Sequence, residues 1–295
     1  MEIPQIPAKT IVTKTKSTAW FGCDYNMNIY RGCCHGCIYC DSRSDCYRNT
    51  DFDTVKAKEN ALQIIRDNLR RKVKKGVIST GSMSDPYNPF EKELKLTRNS
   101  LELINAFKFG VSIATKSPLV TRDIDILKDI KEHSPVLVKI TITTADDKLC
   151  KIIEPHVASS SERFDALRKL ADEGIFCGIL MMPILPYIND TEENILGIVR
   201  KAKEAGCRFV YPAFGVTMRD SQREYYYSKL KEFRPELVDV YKKRFGTYYQ
   251  CSSPNARKLW TVFKKECEKL GMLYNMKDIV SYYKMGYKNS QLSFL

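Results

Sequence analysis

Cys33-Cys34-His35-Gly36-Cys37-Ile38-Tyr39-Cys40 places four thiols within eight residues near the start of the chain, and its spacing decides how the rest is read. Thiols this close in a chain without a secretion signal point to a bound metal centre, because a short loop brings several thiolates around one point. A structural zinc site needs a second CxxC or a later His pair. Neither follows, and the other histidines are His133 and His156. A ferredoxin-type run through Cys34, Cys37 and Cys40 needs a fourth Cys at the place of Ser44. The remaining choice, Cys33, Cys37 and Cys40, is CxxxCxxC. Three such ligands leave one iron of a 4Fe-4S cluster open to a substrate or cofactor. The bland alternative is a set of reactive surface or buried structural cysteines.

Length and composition set the frame. The 295 residues suffice for about two domains, or for one large α/β barrel with an appendage. Hydrophobic content is 43%, and no apolar run approaches the ~20 residues of a membrane span. The start, Met1-Glu2-Ile3-Pro4-Gln5, lacks the basic and apolar regions of a signal peptide. A soluble, cytoplasmic protein is expected, and the eleven cysteines, an odd number, fit free thiols in a reducing compartment. The net charge of +13 is concentrated towards the end: residues 216–295 hold 16 Lys+Arg against 8 Asp+Glu. Such a surface favours polyanions; ordinary solvated lysine is the plainer explanation.

Residues 1–25 read as an extended lead-in with one short strand. Residues 26–31 are the expected first strand, delivering the cysteine loop at its end, and 54–73 the first helix. Apolar runs then alternate with helical periodicity: strands over 77–80, 111–115, 136–143, 175–182 and 207–213, with helices over 97–107, 121–130, 162–173 and 190–206 between them. Asp190 followed by Glu193 reads as a capping box. Six strands alternating with helices predict right-handed βα units on a parallel sheet. Six units are too few to close an eight-fold barrel, so an open partial barrel is expected, with its chemistry in the loops after the strands. Residues 216–295 switch to helices near 224–233, 235–245, 256–270 and 276–283. This part carries 15 of the 32 aromatic residues, rings that either stack nucleic-acid bases or pack the helices onto the barrel.

The stretch NIYRGCCHGCIYCDSRSD, with TGSMSDPYNPFEKELKLTR, ATKSPLVTRDIDIL, ITITTADD and PILPYIND, resembles the spore photoproduct lyase-like branch of the radical S-adenosylmethionine (SAM) superfamily. The resemblance spans most of 26–215 as the radical SAM core, and implies an α/β fold: a partial (βα)6 TIM-like radical SAM barrel with a C-terminal helical extension. Cys33, Cys37 and Cys40 would then ligate a 4Fe-4S cluster whose fourth iron is chelated by the amino and carboxylate groups of SAM. Tyr39 would line the adenine side, and Ser84, Lys116 and Thr141 would fall on SAM contacts. The implied activity is reductive cleavage of SAM followed by removal of a substrate hydrogen. A flavodoxin or ferredoxin-type electron donor is implied as partner. No catalytic side chain is assigned.

Two departures bear on the reaction. Ser82 stands where the lyases carry a Cys hydrogen donor, and Asp41 where a Tyr follows the third cluster cysteine. An O–H bond is too strong for serine to replace a thiol, so photoproduct reversal by that relay is not expected. Cys23, Cys34 and Cys46 lie near the cluster in sequence, and small buried hydrophobe is the plainer role for each. The expected function is a radical SAM enzyme acting on nucleic acid, in repair or modification. The alternatives are a small-molecule or peptide substrate, and a non-enzymatic iron-sulfur redox sensor. The last five residues, Gln291-Leu292-Ser293-Phe294-Leu295, resemble the peptides with which bacterial repair proteins dock on the sliding clamp, with the final two in reversed order.

Overall fold

The structure, a computed structural model, describes residues 3–49 and 51–287. Its centre is six parallel strands hydrogen-bonded in chain order: β1 (Tyr25–Met27), β2 (Val77–Thr80), β3 (Gly110–Thr115), β4 (Val136–Thr141), β5 (Cys177–Met181) and β6 (Phe209–Pro212). Val12–Lys14 adds to β1 antiparallel, at the sheet's far edge. The last strand does not pair back to the first, so the barrel is partial and open. Helices α1 (Ala61–Arg70), α2 (Leu96–Ala106), α3 (Ile124–Lys131), α4 (Ser160–Asp172) and α5 (Glu192–Glu204) follow the first five strands and cover the outside.

Strand alternation explains the two layers of core. Val111, Ile113, Val136, Val138, Ile140, Ile179 and Met181 turn outwards and are buried with Ile126, Leu127, Leu167, Leu170, Ile195 and Ile198 of the helices. Each such aliphatic side chain contributes roughly 1.5–3 kcal/mol. Val77, Leu137, Leu180 and Phe209 turn inwards, where Phe21, Cys23, Ile279 and Tyr283 plug the barrel. Strands apolar on both faces are what a covered parallel sheet demands.

The C-terminal region forms α6 (Asp220–Phe233), α7 (Glu236–Phe245), α8 (Ala256–Leu270) and α9 (Met276–Tyr283). Many of its aromatics pack. Tyr226 and Tyr241 are buried with their hydroxyls 2.9 Å apart, and the Tyr283 hydroxyl donates to the Phe21 carbonyl at 2.6 Å. Tyr248, Tyr249, Trp260 and Tyr282 remain exposed.

Several local expectations are corrected. The strand at 26–31 splits: β1 ends at Met27, and Tyr30–Arg31 pairs instead with Lys56–Lys58, which also pairs with Gln5–Ile6. Residues 54–60 are therefore not helical. Val55 and Ala57 are buried in a two-residue period, and Asn60, at φ 50°, breaks the chain before α1. The cap of α5 is Thr191, whose hydroxyl accepts from the Asn194 N–H at 3.2 Å, whereas Asp190 accepts a 2.5 Å bond from Ser253. The capping box occurs instead at α4, between Ser159 and Glu162. Asp147–Ile153 forms a short helix that the periodicity did not announce.

Within the barrel, Lys139 of β4 lies one inward-facing position below Thr141 and has no exposed surface. Its ammonium donates to Ser112 Oγ and sits 4.8 Å from the centre of the Phe21 ring. Burial pushes its pKa down to about 8. The unfolded chain holds this proton more tightly, so stability rises with pH between about 8 and the ordinary lysine value. Below pH 8 the cost of a charged interior is present in full, on the order of 3 kcal/mol. Lys139→Met is expected to stabilise the fold at pH 7 by about 1–3 kcal/mol, part being offset by the lost serine bond. Denaturant unfolding at pH 7 and 10 measures this; no gain at pH 7, or a larger gain at pH 10, contradicts it.

Candidate active site

The cysteine loop starts at Gly32, whose φ of 79° and close approach require glycine: a Cβ there would fall 2.2 Å from the Thr54 carbonyl oxygen. Backbone bonds then fix the loop, from Cys33 N to Phe52 O at 2.8 Å, from Ile38 N to Ile153 O at 3.0 Å and from His156 N to His35 O at 3.2 Å. Across from it β2 ends at Gly81, φ 89°, where a Cβ would fall 1.9 Å from the Ala114 carbonyl oxygen of β3. That approach brings the loop after β2 over the strand ends.

A cavity of about 170 Å³ opens here, lined by Cys33, Cys37 and Cys40 from the loop, Ser82 and Ser84 after β2, Lys116 after β3 and Thr141 at the end of β4. Six of the seven cofactor residues expected from the sequence thus meet around one space. Tyr39, the seventh, is not part of the lining. Its buried ring lies 5.7 Å from Lys116 Nζ and its hydroxyl donates to Glu154. Ser84 donates to the Gly32 carbonyl at 2.6 Å, which ties the second loop to the first and leaves its oxygen free to accept. Asp85 caps the turn at Tyr87 N (2.9 Å) and also accepts from Thr115 Oγ1 (2.6 Å) and Lys116 N (2.7 Å). One carboxylate therefore sets the backbone from which Lys116 projects.

Behind this wall lies a buried charge network that sequence reasoning missed. Glu154 pairs with Arg163 at 2.5 Å, and Arg163 also donates to the carbonyls of Thr141 (2.8 Å) and Ala158 (2.8 Å). Burial opposes the charge on Glu154, but Arg163 and Lys116 outweigh it and hold its pKa below the usual carboxylate range. Burial likewise works against the Lys116 ammonium, yet Cys37 and Glu154 hold its pKa above the ordinary lysine value. In the metal-free protein the partner that matters is Glu154, because burial pushes the Cys37 thiol up. The pairing is long-range, and no local signal marks it in the sequence.

The donor set fits a 4Fe-4S cluster with an open iron. Three soft thiols and no fourth cysteine line the cavity, since Cys34 lies on another face of the loop. Burial pushes Cys33 up to about 12 and raises Cys37 and Cys40 as well, so the metal-free thiols are protonated and loading must release protons. Among the described residues no three His, Cys, Asp or Glu side chains converge on a single ion. A cluster does not require that, because each iron takes one thiol. Of the other cysteines, Cys23 is buried in the barrel plug and Cys34 is half-buried, whereas Cys46 is exposed and is no core hydrophobe. Asp41 accepts from Tyr47 (3.1 Å), Thr217 (3.3 Å) and Arg219 (3.1 Å). No helix among the described residues is long and apolar enough to cross a membrane.

Comparison with known proteins agrees with this geometry. An uncharacterized protein of Methanocaldococcus jannaschii is 38% identical over 195 residues, 65% of this chain and 71% of that one. One of Mycobacterium tuberculosis is 28% identical over 253 residues, 83% of this chain and 74% of that one. A spore photoproduct lyase mutant solved with dinucleoside spore photoproduct shares the fold, with a TM-score of 0.68 at 15% identity over 91% of this chain and 79% of that one. The family model of the radical SAM superfamily matches residues 27–199. With that match over more than half its length, the chain belongs to the radical SAM superfamily, enzymes that use a 4Fe-4S cluster and SAM.

Proposed function

We propose that this radical SAM enzyme acts on nucleic acid, in repair or base modification. The observation that carries the reading is the band of arginines and rings adjoining the cavity. Arg43, next to the lining residue Ser42, is paired with Asp53 and largely buried, 3.9 Å from the Tyr225 ring centre and 4.9 Å from that of Phe52. Arg219, paired with Asp41, lies 4.4 Å from the Tyr249 ring and 5.9 Å from that of Tyr47. Basic charge interleaved with aromatic faces suits phosphates and stacked bases. The net charge of +13 points the same way, as does the fold shared with a lyase whose bound ligand is a dinucleoside.

Cys33, Cys37 and Cys40 would hold the cluster. Lys116, positioned by Asp85 and balanced by Glu154, would receive the SAM carboxylate. Ser84, its proton given to Gly32, would accept from the SAM amino group, and Thr141 would add a hydroxyl. With both groups bound, the site supplies an electron to the sulfonium and the means to take a hydrogen atom from a substrate. The chain's part is to orient and to keep water out. A flavodoxin or ferredoxin-type donor would supply the electron. The clamp-like peptide at 291–295 lies outside the described residues.

Binding of a fluorescent single-stranded oligodeoxynucleotide across a salt series tests the reading. Affinity should fall steeply with salt, as phosphate contacts require; absent or salt-independent binding overturns it. The missing relay gives a second expectation. Ser82 lines the cavity and bonds to Asn28 at 3.2 Å, whereas Asp41 is engaged by Arg219, so neither offers a weak S–H bond. Given a photoproduct dinucleotide, SAM and reductant, the enzyme should release little thymidylyl-thymidine while an authentic lyase works alongside. Multiple-turnover repair contradicts this.

A further inference from the structure

A second cavity, of about 440 Å³, adjoins the first, and His35 and Lys116 line both. Its other polar lining is Tyr87, Lys92, Ser117, His156 and Glu162. We propose that this cavity binds a phosphate group of the substrate, next to the reacting centre. The proposal rests on the nucleic-acid reading only for the source of that phosphate.

Charge is the first ground. Lys92 and Lys116 line the space; Lys116 is balanced by Glu154 and His35 lies 3.6 Å from Asp85, so Lys92 is the cation that counts. The one lining carboxylate is already used, since Glu162 accepts from the Ser159 N–H at 2.7 Å in the capping box of α4. Lys92 is exposed and makes no ion pair among the described residues. It is thus a cation on the wall of a concave site without a counter-ion. Donor geometry is the second ground. Ser117 Oγ accepts from Leu119 N at 3.3 Å, which leaves its proton to donate. The His156 ring is wedged against Gly36 of the cysteine loop: a Cβ on that glycine would fall 2.8 Å from His156 Cδ2. The imidazole is exposed on the cavity wall, its nitrogens without a partner among the described residues. An ammonium, a hydroxyl and an unpartnered imidazole match the several acceptors of a phosphate. Position is the third ground. A phosphate seated here lies across His35 and Lys116 from the cysteine thiols, so a nucleotide held by it would be presented to the cavity where hydrogen is removed.

Cluster-loaded protein should be titrated anaerobically with a fluorescent thymidine hexanucleotide and, separately, with inorganic phosphate. Lys92→Ala should weaken hexanucleotide binding about 5-fold and lower the salt slope by about one; Lys92→Glu should weaken it about 20-fold or more. His156→Ala should act in the same direction, and Lys231→Ala, an exposed lysine elsewhere, should have no effect. Thermal melting confirms that each variant folds, and Lys92→Ala carries the test should Lys92→Glu fail to fold. Wild-type binding with an unchanged affinity and slope in both Lys92 variants overturns this pocket while leaving the nucleic-acid reading standing. Lys92-dependent binding of inorganic phosphate without hexanucleotide binding supports the pocket, assigns it to a small phosphorylated molecule, and overturns the nucleic-acid reading. Binding of neither probe overturns both.

Discussion

Cys37→Ala is expected to lose iron and to form no 5'-deoxyadenosine from SAM, and Cys33→Ala and Cys40→Ala are expected to do the same. Each supplies one of the three thiols lining the cavity, and among the described residues no spare cysteine lines it. Cys34→Ala is the informative control. Its thiol sits in the same loop, but it faces a cavity formed with Ile152, His156, Tyr225 and Phe233. A cysteine chosen by proximity in sequence would matter equally; one chosen by the CxxxCxxC spacing leaves Cys34 dispensable. Iron content and nucleoside release in the four variants separate these outcomes. Full activity in the Cys37 variant contradicts the site.

Glu154→Ala should cost about 3–5 kcal/mol, because it strands the Arg163 guanidinium in the interior. Glu154→Gln keeps a hydrogen-bond acceptor for Tyr39 and Arg163 and should cost less. The pair's contribution is present above the ordinary Glu pKa and is lost as pH falls through the lowered folded value, so wild type and variant should converge in acid. The same change removes the counter-charge of Lys116 and the acceptor of Tyr39, and SAM should bind more weakly even where the variant folds. Chemical denaturation followed from pH 7 downwards to below the folded value, together with SAM titration, checks both effects. A variant as stable as wild type at pH 7 contradicts the network.

Features written locally in the chain were legible. The cysteine spacing is contiguous, and apolar runs alternating with helical periodicity marked β2 to β5, which are buried on both faces, more closely than β1, whose expected span of 26–31 splits. Ser84, Lys116 and Thr141 came from the family resemblance, and their position at or near strand ends agreed with it. Features that depend on distant partners were not legible. Lys56–Lys58 looks helical until Gln5–Ile6 and Tyr30–Arg31 are found beside it. Asp190 and Thr191 are both good caps, and Ser253, 63 residues away, decided between them by engaging the aspartate. No local pattern marks Glu154, Arg163 or Lys139, and only the fold removes all three from water.

The central claim is that the cavity of Cys33, Cys37, Cys40 and Lys116 is a working radical SAM site. Its most direct test is the wild-type protein itself, reconstituted anaerobically and incubated with SAM and a strong reductant. The account predicts a brown protein with about four irons per chain that releases 5'-deoxyadenosine and methionine. Zinc in place of iron, or a loaded cluster that leaves SAM intact, would contradict it.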